Sequence, residues 1–386
     1  MNTFDIIVIG AGPAGAMAAQ AASKGGRSVC LLERKEKAGT PVRCGEGIGL
    51  KGASSNKFEI DPTWIKTKVS QFKMVSPSGI TVTLANSVDG FIVDREIMDF
   101  DLVKRAIACG AQYQANTPVI SIKRNDKNLY ECKSPGQSFY APCVILADGL
   151  ESRLARDLGW KTALAPQDLE TCAFCKVTHA SIDPDSCIFY IGNNITPAGY
   201  AWVFPRGNNQ ANVGLGVLGS FSSAGKAKIL LDKFVALKFD GAKMMDIHCG
   251  GVPAGKWLRP LVKDGAMVVG DAARQVISLT GAGINYSVFA GQLAGKIAAE
   301  AFQNGAIDFK HLLSYEKIWE KGLGKQQMRS YALKTLLIKK HDDAFLDGIA
   351  KSLSKKDSKK LSILEVFLRT FLSNPVAFIK ALLLFK

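Results

Sequence analysis

The sequence predicts an α/β chain: a Rossmann-like dinucleotide-binding domain, an antiparallel-sheet domain inserted into it, and a helical C-terminal region. Three observations predict this. Apolar β-formers at Asp5-Ile-Ile-Val-Ile run straight into Gly10-Ala-Gly12-Pro-Ala14-Gly15 and a helix of small residues. Continuous apolar strand patterns return at Cys143-Val-Ile-Leu-Ala-Asp148-Gly149 and at Ala266-Met-Val-Val-Gly270-Asp271. Between those returns, residues from about 171 to 218 alternate as half-buried strands do.

The opening turn is the most specific element. A G-x-G-x-x-G turn lets a pyrophosphate approach the backbone at a helix N-terminus, where free N–H groups and the helix dipole stabilise it. The next strand, Ser28-Val-Cys-Leu-Leu-Glu33, ends in a carboxylate 18 residues beyond Gly15. Such an acid accepts hydrogen bonds from both ribose hydroxyls and repels a 2′-phosphate, which favours FAD or NAD over NADP.

The loop after this βαβ unit, Gly39-Thr-Pro-Val-Arg43-Cys44-Gly45-Glu46-Gly47, combines glycines with a cation, a thiol and an acid. Strand-like segments flank the Pro77-Ser-Gly79 turn. A helix capped by Asp94 then begins at Arg95 and ends near Gly110. A small β-meander follows from Val119 to Tyr140. The second sheet takes Phe189-Tyr-Ile, Tyr200-Ala-Trp202-Val-Phe204-Pro205 and Ala211 to Val217, and an amphipathic helix runs from Lys226 to Leu237. A glycine-opened helix starts at Thr280-Gly281-Ala-Gly283-Ile284, and only helices are expected from Phe309 onward. The expected boundaries are 1–170 with 250–305 for the cofactor domain, 171–249 for the substrate domain and 306–386 for the helical region.

Each return to the sheet brings a glycine and a carboxylate to the edge at which ligands bind in such folds. An NAD domain needs only the first βαβ unit. A third strand with Gly270-Asp271 and a glycine-opened helix suits a longer phosphate-ribityl ligand, namely FAD. Asp271 would bond the ribityl hydroxyls, and the helix opening at Gly281 to Ile284 would face the flavin pyrimidine.

Composition narrows the function classes. The chain has 386 residues, 47% of them hydrophobic, with 49 basic against 34 acidic side chains and a formal charge of +15. That surplus fits a polyanionic partner. No nucleic-acid module is legible, so an anionic membrane or substrate is the better reading. The cofactor strand follows Met1 too closely for a signal peptide, and no apolar run approaches the ~20 residues of a spanning helix. The expected location is cytoplasmic, peripheral on the inner face of the cell membrane. Nine cysteines without repeated spacing fit a reducing compartment. Cys172-Ala-Phe-Cys175 lacks a second pair at zinc spacing and reads as buried thiols. His179, His248, His311 and His341 share no spacing that implies metal or a triad.

Gly10 to Gly15, Glu33, Arg95, Asp148-Gly149 and Gly270-Asp271 resemble the FAD-dependent oxidoreductases of the p-hydroxybenzoate hydroxylase type. Within that group, three features resemble the geranylgeranyl reductase family, closest to its archaeal-type digeranylgeranylglycerophospholipid reductases. They are the Pro41-Val-Arg43-Cys44-Gly45-Glu46-Gly47 loop, the Tyr200-Ala-Trp202-Val-Phe204-Pro205 strand with Gly214-Leu-Gly216 after it, and Gly270-Asp271-Ala-Ala-Arg274 with Thr280-Gly-Ala-Gly283-Ile284. The likeness covers about residues 1 to 330. Two departures lie by the flavin pyrimidine: Ser278 stands where that family has proline, and Ala282 breaks its glycine run.

The resemblance implies FAD held by Gly10, Gly12, Ala14, Gly15, Glu33, Arg34, Cys44, Gly45, Gly47, Arg95, Val119, Asp148, Gly149, Gly270, Asp271, Gly281, Gly283 and Ile284. It also implies reduction of isolated prenyl C=C bonds on a lipid substrate. Such an alkene has no carbonyl to accept electron density, so hydride transfer requires protonation of the other carbon in a dry slot. Cys44 is the candidate proton donor or alkene-positioning thiol; the bland reading is a small packed residue. Glu46 is an acid, a loop orienter, or half of an ion pair with an arginine. Arg95 reaches the FAD pyrophosphate or adenosine, or pairs with Asp99. Tyr200, Trp202, Phe204 and Pro205 line an isoprenoid channel or simply pack the sheet.

The lysines from Lys351 to Lys360 and the apolar residues from Leu361 to Phe385 suit an anionic bilayer, or a helix closing the substrate channel. The electron donor, reduced ferredoxin or NAD(P)H, has no fingerprint of its own. Two rival functions stay open: an aromatic-ring monooxygenase, and a flavin-bearing prenyl-lipid-binding or electron-carrier module without turnover.

Overall fold

A computed structural model describes residues 2–56, 58–305, 307–338 and 342–354. The tail beyond residue 354, with its lysine cluster and apolar segment, and His341 lie outside the described residues. Two compact units emerge. The first comprises 1–42, 95–164 and 253–328; the second comprises 43–94, 165–252 and 329–386.

The first unit holds a six-stranded sheet in the order Val262–Lys263, Ala266–Val268, Cys143–Leu146, Ile6–Ile9, Val29–Leu32, Gln112–Gln114. Every pairing is parallel except the first. The three strands Ile6–Ile9, Val29–Leu32 and Cys143–Leu146 are buried along their whole length, which is why they read as unbroken apolar runs. Parallel pairing in register puts the residues after Ile9, Leu32, Leu146 and Val268 along one edge. Those residues are Gly10, Glu33, Ala147-Asp148 and Val269-Gly270-Asp271. The expected meander forms over Ser121–Arg124, Tyr130–Ser134 and Gln137–Ala141, and Asn2–Thr3 joins it as a fourth, parallel strand.

Helix Pro13–Lys24 is built almost wholly of small residues because it is pressed from two sides. A Cβ added at Gly291 or Gly295, on helix Ile284–Gln303, would run into the carbonyls of Ala14 and Ala18 respectively. One at Gly25 would strike the Ala299 methyl. The two helices therefore meet backbone to backbone.

The second unit is an eight-stranded sheet in the order Met244–Val252, Glu170–Thr178, Gln210–Leu218, Thr196–Gly207, Ser186–Gly192, Ile65–Val75, Thr81–Val93, Gly47–Gly49. One joint is parallel, between Ser186–Gly192 and Ile65–Val75. The sheet therefore recruits residues 47–93 as well as the expected 171–249, and the helices after residue 306 divide between the units. Sequence alternation showed those strands but not their partners, because pairing across about a hundred residues leaves no local signal.

One face of this sheet is sealed by helix Lys226–Lys238. Ala173, Cys175, Val177, Ala201, Val203, Val213, Leu215 and Val217 pack there against Leu231, Phe234 and Val235. Helix Asp343–Ser354 closes the far end through Ala350 and Leu353 on Val82, while Asp347 accepts from Ser76 Oγ at 2.6 Å and from Ser78 N at 3.0 Å.

Replacing Gly295 by alanine tests the backbone contact. Helix propensity alone would raise stability by ~1 kcal/mol. The collision with the Ala18 carbonyl should instead produce a net loss of ~2 kcal/mol in denaturant unfolding. An Ala variant at least as stable as the wild type would contradict the packing described.

Candidate functional site

The expected residues form two groups, one in each unit. In the first unit, Gly10 (φ +98°) and Gly15 are forced. A Cβ on Gly10 would collide with the Ala147 carbonyl, and one on Gly15 with the Gly10 carbonyl. Gly12 differs: a Cβ there would meet nothing within 4 Å. Gly12 is the N-cap of helix Pro13–Lys24, no side chain caps that helix, and Pro13 at its first turn has no N–H to satisfy.

Glu33 is 7% exposed and already anchored. One oxygen accepts from Ala11 N at 2.7 Å and the other from Lys35 N at 3.0 Å. A carboxylate has about four acceptor sites, so about two remain for ribose hydroxyls. Arg34 makes a loose, exposed pair with Glu151 at 3.9 Å and its charge also reaches Asp148. Val119 lies half-buried between strands Gln112–Gln114 and Ser121–Arg124.

Asp148 accepts from Leu154 N at 3.1 Å, and Gly149 takes a left-handed turn at φ +79°. Burial pushes the Asp148 carboxyl up, opposed by the Leu154 N–H. Gly270, at φ +64°, lies close enough to Ala14 that a Cβ would crowd its methyl at 2.8 Å. Its N–H donates to Gln275 Oε1 at 2.7 Å. Gln275 Nε2 in turn donates to the Tyr315 hydroxyl at 2.9 Å, and that hydroxyl donates to Val268 O at 3.0 Å. This buried chain fixes the Gly270 turn from beneath.

Burial also pushes the Asp271 carboxyl up, and the Arg95 guanidinium opposes it. Asp271 Oδ1 lies 3.6 Å from where a Gly283 Cβ would sit, which brings it to the uncapped opening of the helix that starts at Ile284. Gly281 turns at φ +69° just before. Arg95 itself is gripped by Asp99, through Nε at 2.7 Å and Nη2 at 2.8 Å. Of its two expected roles the Asp99 pair is the one these contacts display, and the same guanidinium carries its charge to Asp271. Open helix N-termini, glycines that no Cβ could replace, and carboxylates along one sheet edge fit a long phosphate-ribityl cofactor.

In the second unit, the Cys44 loop lies on the aromatic strand. A Cβ on Gly45 would press on Phe204 at 3.1 Å and on Trp202 Nε1 at 3.4 Å, and one on Gly47 would sit 3.5 Å from Phe204. Cys44 Sγ accepts from Glu46 N at 3.2 Å, and Cys44 O accepts from Asn212 Nδ2 at 3.0 Å. Glu46 occupies the left-handed region at φ +68°. Such strain costs ~1–3 kcal/mol and must be held by its surroundings. Arg206 forms a buried ion pair with the Glu46 carboxylate, Asn212 Nδ2 donates to it at 3.1 Å, and Glu46 O accepts from Val93 N at 3.0 Å. Arg206 also reaches Asp94 at 3.5 Å. Of the roles expected for Glu46, the ion pair is the one these contacts display.

Tyr200, Trp202 and Phe204 do share one sheet face, with ring centroids 6.1 Å apart at each step. Phe189 meets Tyr200 and Phe204 edge-on at 5.5 and 5.4 Å, and Phe174 packs on Trp202. Trp202 Nε1 donates to Asn212 Oδ1 at 2.9 Å, so the indole has no unmet polar atom on this apolar wall. Pro205 is buried within the strand. The two thiols of the C-x-x-C separate onto opposite faces, Cys175 in the helix-covered core and Cys172 on the aromatic side.

Arg206 and Asn212 were not singled out from sequence. Arg206 was findable, since the 200, 202, 204 alternation continues to it. Also unforeseen is Glu170, paired with Lys334 at 3.7 Å, the lysine being 4% exposed. Burial pushes the Glu170 carboxyl up to about 7, while Lys334 pulls it down.

Three comparisons bear on these groups. The family model for the geranylgeranyl reductase catalytic domain matches residues 168–252, and that for glucose inhibited division protein A matches 5–156. Digeranylgeranylglycerophospholipid reductase 1 of Methanococcoides burtonii is 38% identical over 381 residues, 97% of this chain and 93% of that protein. The digeranylgeranylglycerophospholipid reductase of Methanoculleus marisnigri is 38% identical over 388 residues, 97% and 96% of the two chains. Among solved structures, a geranylgeranyl bacteriochlorophyll reductase-like protein of Thermoplasma acidophilum superposes with a TM-score of 0.92 at 27% identity, covering 100% of both chains.

Two tests follow from the geometry. Replacing Arg206 by methionine strands the Glu46 charge and should cost ~3–5 kcal/mol in denaturant unfolding. The double variant with Glu46→Gln should recover part of that loss, and strictly additive losses would show that the pair does not couple. Folding raises the Glu170 carboxyl above the 4.5 of an ordinary glutamate, so the native state holds that proton more tightly. Stability should therefore fall as pH rises from 4.5 through about 7. Thermal melts of Glu170→Gln should show a shallower fall over the same window.

Proposed function

This chain belongs to the geranylgeranyl reductase family, among the digeranylgeranylglycerophospholipid reductases, and from that premise we propose that it saturates prenyl C=C bonds of an isoprenoid ether phospholipid with FAD as its cofactor. The observation that most supports this reading is the two-faced sheet of the second unit. Its Ala and Val face is spent on the helix Lys226–Lys238, while its other face carries Tyr200, Phe204 and Phe189, all half-buried, beside the buried Trp202 and Phe174. A prenyl chain presents only apolar surface, and such a wall binds it by burial, at ~25 cal/mol per Å² removed from water.

The first unit would hold FAD by Gly10, Gly12 and Gly15 at the pyrophosphate, Glu33 at the ribose, and Asp271 and the Gly283 helix opening at the ribityl and ring end. When bound and reduced, FAD supplies the hydride. The chain's own residues then have three tasks. The aromatic face orients the alkene and excludes water. Cys44 gives a proton from Sγ to the carbon that the hydride does not take. Glu46, locked by Arg206 and Asn212, holds the strained loop so that the thiol is presented in one position.

Among the described residues no helix is long and apolar enough to cross a membrane. The lipid substrate and the +15 charge support attachment to an anionic membrane surface instead. The electron donor is proposed as a reduced ferredoxin or NAD(P)H, delivering electrons to FAD.

Dithionite-reduced protein incubated with digeranylgeranylglyceryl phospholipid should add two daltons per double bond by mass spectrometry. Under the same conditions Cys44→Ser should bind FAD normally and react ~100-fold more slowly, the lower range for loss of a positioned acid. Full turnover in that variant would remove Cys44 from the reaction. Reduced protein that binds the lipid without adding mass would select the non-catalytic carrier, and oxygen uptake with hydroxylated product the monooxygenase.

A further inference from the structure

Glu170 is a buried acid that the reaction above does not use. Glu170 and Cys172 are alternate residues of one strand, so both belong to the aromatic face. Cys172 and Tyr200 both register against Gly216, from the strands on either side of it. Gly216 has no side chain to fill that row. A Cβ built there would lie 3.4 Å from Cys172 Sγ and 3.8 Å from Glu170 Oε2, ordinary contact distances. Carboxyl and thiol therefore both lie within contact distance of the one position that Gly216 leaves without a side chain, at the Tyr200 end of the wall, and the thiol donates to Glu170 O at 3.9 Å.

Helix Lys325–Ile338 places Lys334 behind the carboxyl at 3.7 Å, with its ammonium also donating to Gln167 O at 3.0 Å. The other titratable groups about this cluster are Cys44 from its loop, Cys249 from the neighbouring strand, Asp168, and Tyr331 on the same helix as Lys334. Burial pushes Cys172 up to about 12, with Glu170, Cys44 and Cys249 adding to it. Burial likewise raises Tyr200, with Cys172, Glu170 and Cys44 adding. Both side chains therefore stay protonated at neutral pH and can pass a proton by taking one up as another leaves.

Resting on the role proposed for Cys44, we propose that Glu170 is the acid that reprotonates it, through Cys172 or Tyr200, after each double bond is saturated. As hydride forms one new C–H bond, the S–H bond of Cys44 breaks and its proton forms the other, leaving a thiolate. The O–H or S–H of the intermediary gives its proton to that thiolate and takes one from the Glu170 carboxylic acid. The resulting carboxylate is balanced by the Lys334 ammonium and regains a proton from water. Each saturation consumes one two-electron reduced flavin, which the electron donor must reduce again before the next. Glu170 never touches the alkene; it acts through Cys44. A substrate with several double bonds needs such a resupply at every turn.

The test uses FAD-loaded, full-length enzyme kept reduced with excess dithionite and follows reduction of digeranylgeranylglyceryl phospholipid across the neutral pH range. In the wild type, second and later saturations should slow as pH rises through about 7. Glu170→Gln should slow them at least ~10-fold and abolish that limb, whereas Glu170→Asp restores it. Lys334→Met should move the limb to higher pH, since the ammonium favours the carboxylate. Independently of turnover, difference infrared spectra of the wild type should show a carboxylic C=O band titrating in the same range and absent from Glu170→Gln. A Glu170→Gln enzyme with the wild-type rate and pH profile, or a wild type with no such band, overturns the proposal. A wild type that saturates no prenyl chain overturns the function proposed above, and this inference with it.

Discussion

The first unit depends on backbone meeting backbone. Gly10 against Ala147, Gly15 against Gly10, and the Gly291 and Gly295 positions against Ala14 and Ala18 are all approaches that one methyl group would prevent. Together they clamp helix Pro13–Lys24 between the sheet edge and helix Ile284–Gln303, with no side-chain cap at Gly12. The cofactor turn is thus held by close packing that reaches across the whole unit, and each glycine gives up helix or strand propensity to make it possible.

The second unit solves a different problem, since it must be stable and yet present an apolar surface. Alternation along strand Thr196–Gly207 answers both needs, because Ala201 and Val203 enter the core while Tyr200, Trp202 and Phe204 face the other way. Polar groups on the aromatic side are not left loose. Asn212 serves Trp202, Cys44 and Glu46 at once, and Arg206 neutralises Glu46. A buried network of this kind, fully satisfied, favours one loop conformation over its competitors.

Much of this was legible in the sequence, for reasons that differ by element. The glycine turn, Glu33, Asp148 and Asp271 were readable because the motif is local and its chemistry dictates each residue type. The shared face of Tyr200, Trp202 and Phe204 followed from period two alone. What was not legible depends on long-range partners. That strand Thr81–Val93 joins the second sheet, that Arg206 meets Glu46 across 160 positions, and that Lys334 reaches Glu170 are facts of tertiary pairing. Arg95 shows an intermediate case: its pairing with Asp99 was readable from the spacing of four, while its charge acting on Asp271 was not.

The chain passes from one compact unit to the other after Val42, Asp94, Leu164, Val252 and Met328. Each unit is therefore assembled from three separated segments, and neither exists as a continuous stretch of gene. Duplication or recombination of a single stretch could not transplant the aromatic sheet onto another cofactor unit, nor supply this cofactor unit alone to a new partner. During synthesis, too, the Pro13–Lys24 helix must wait for Ile284–Gln303 before its Ala14 and Ala18 face is covered.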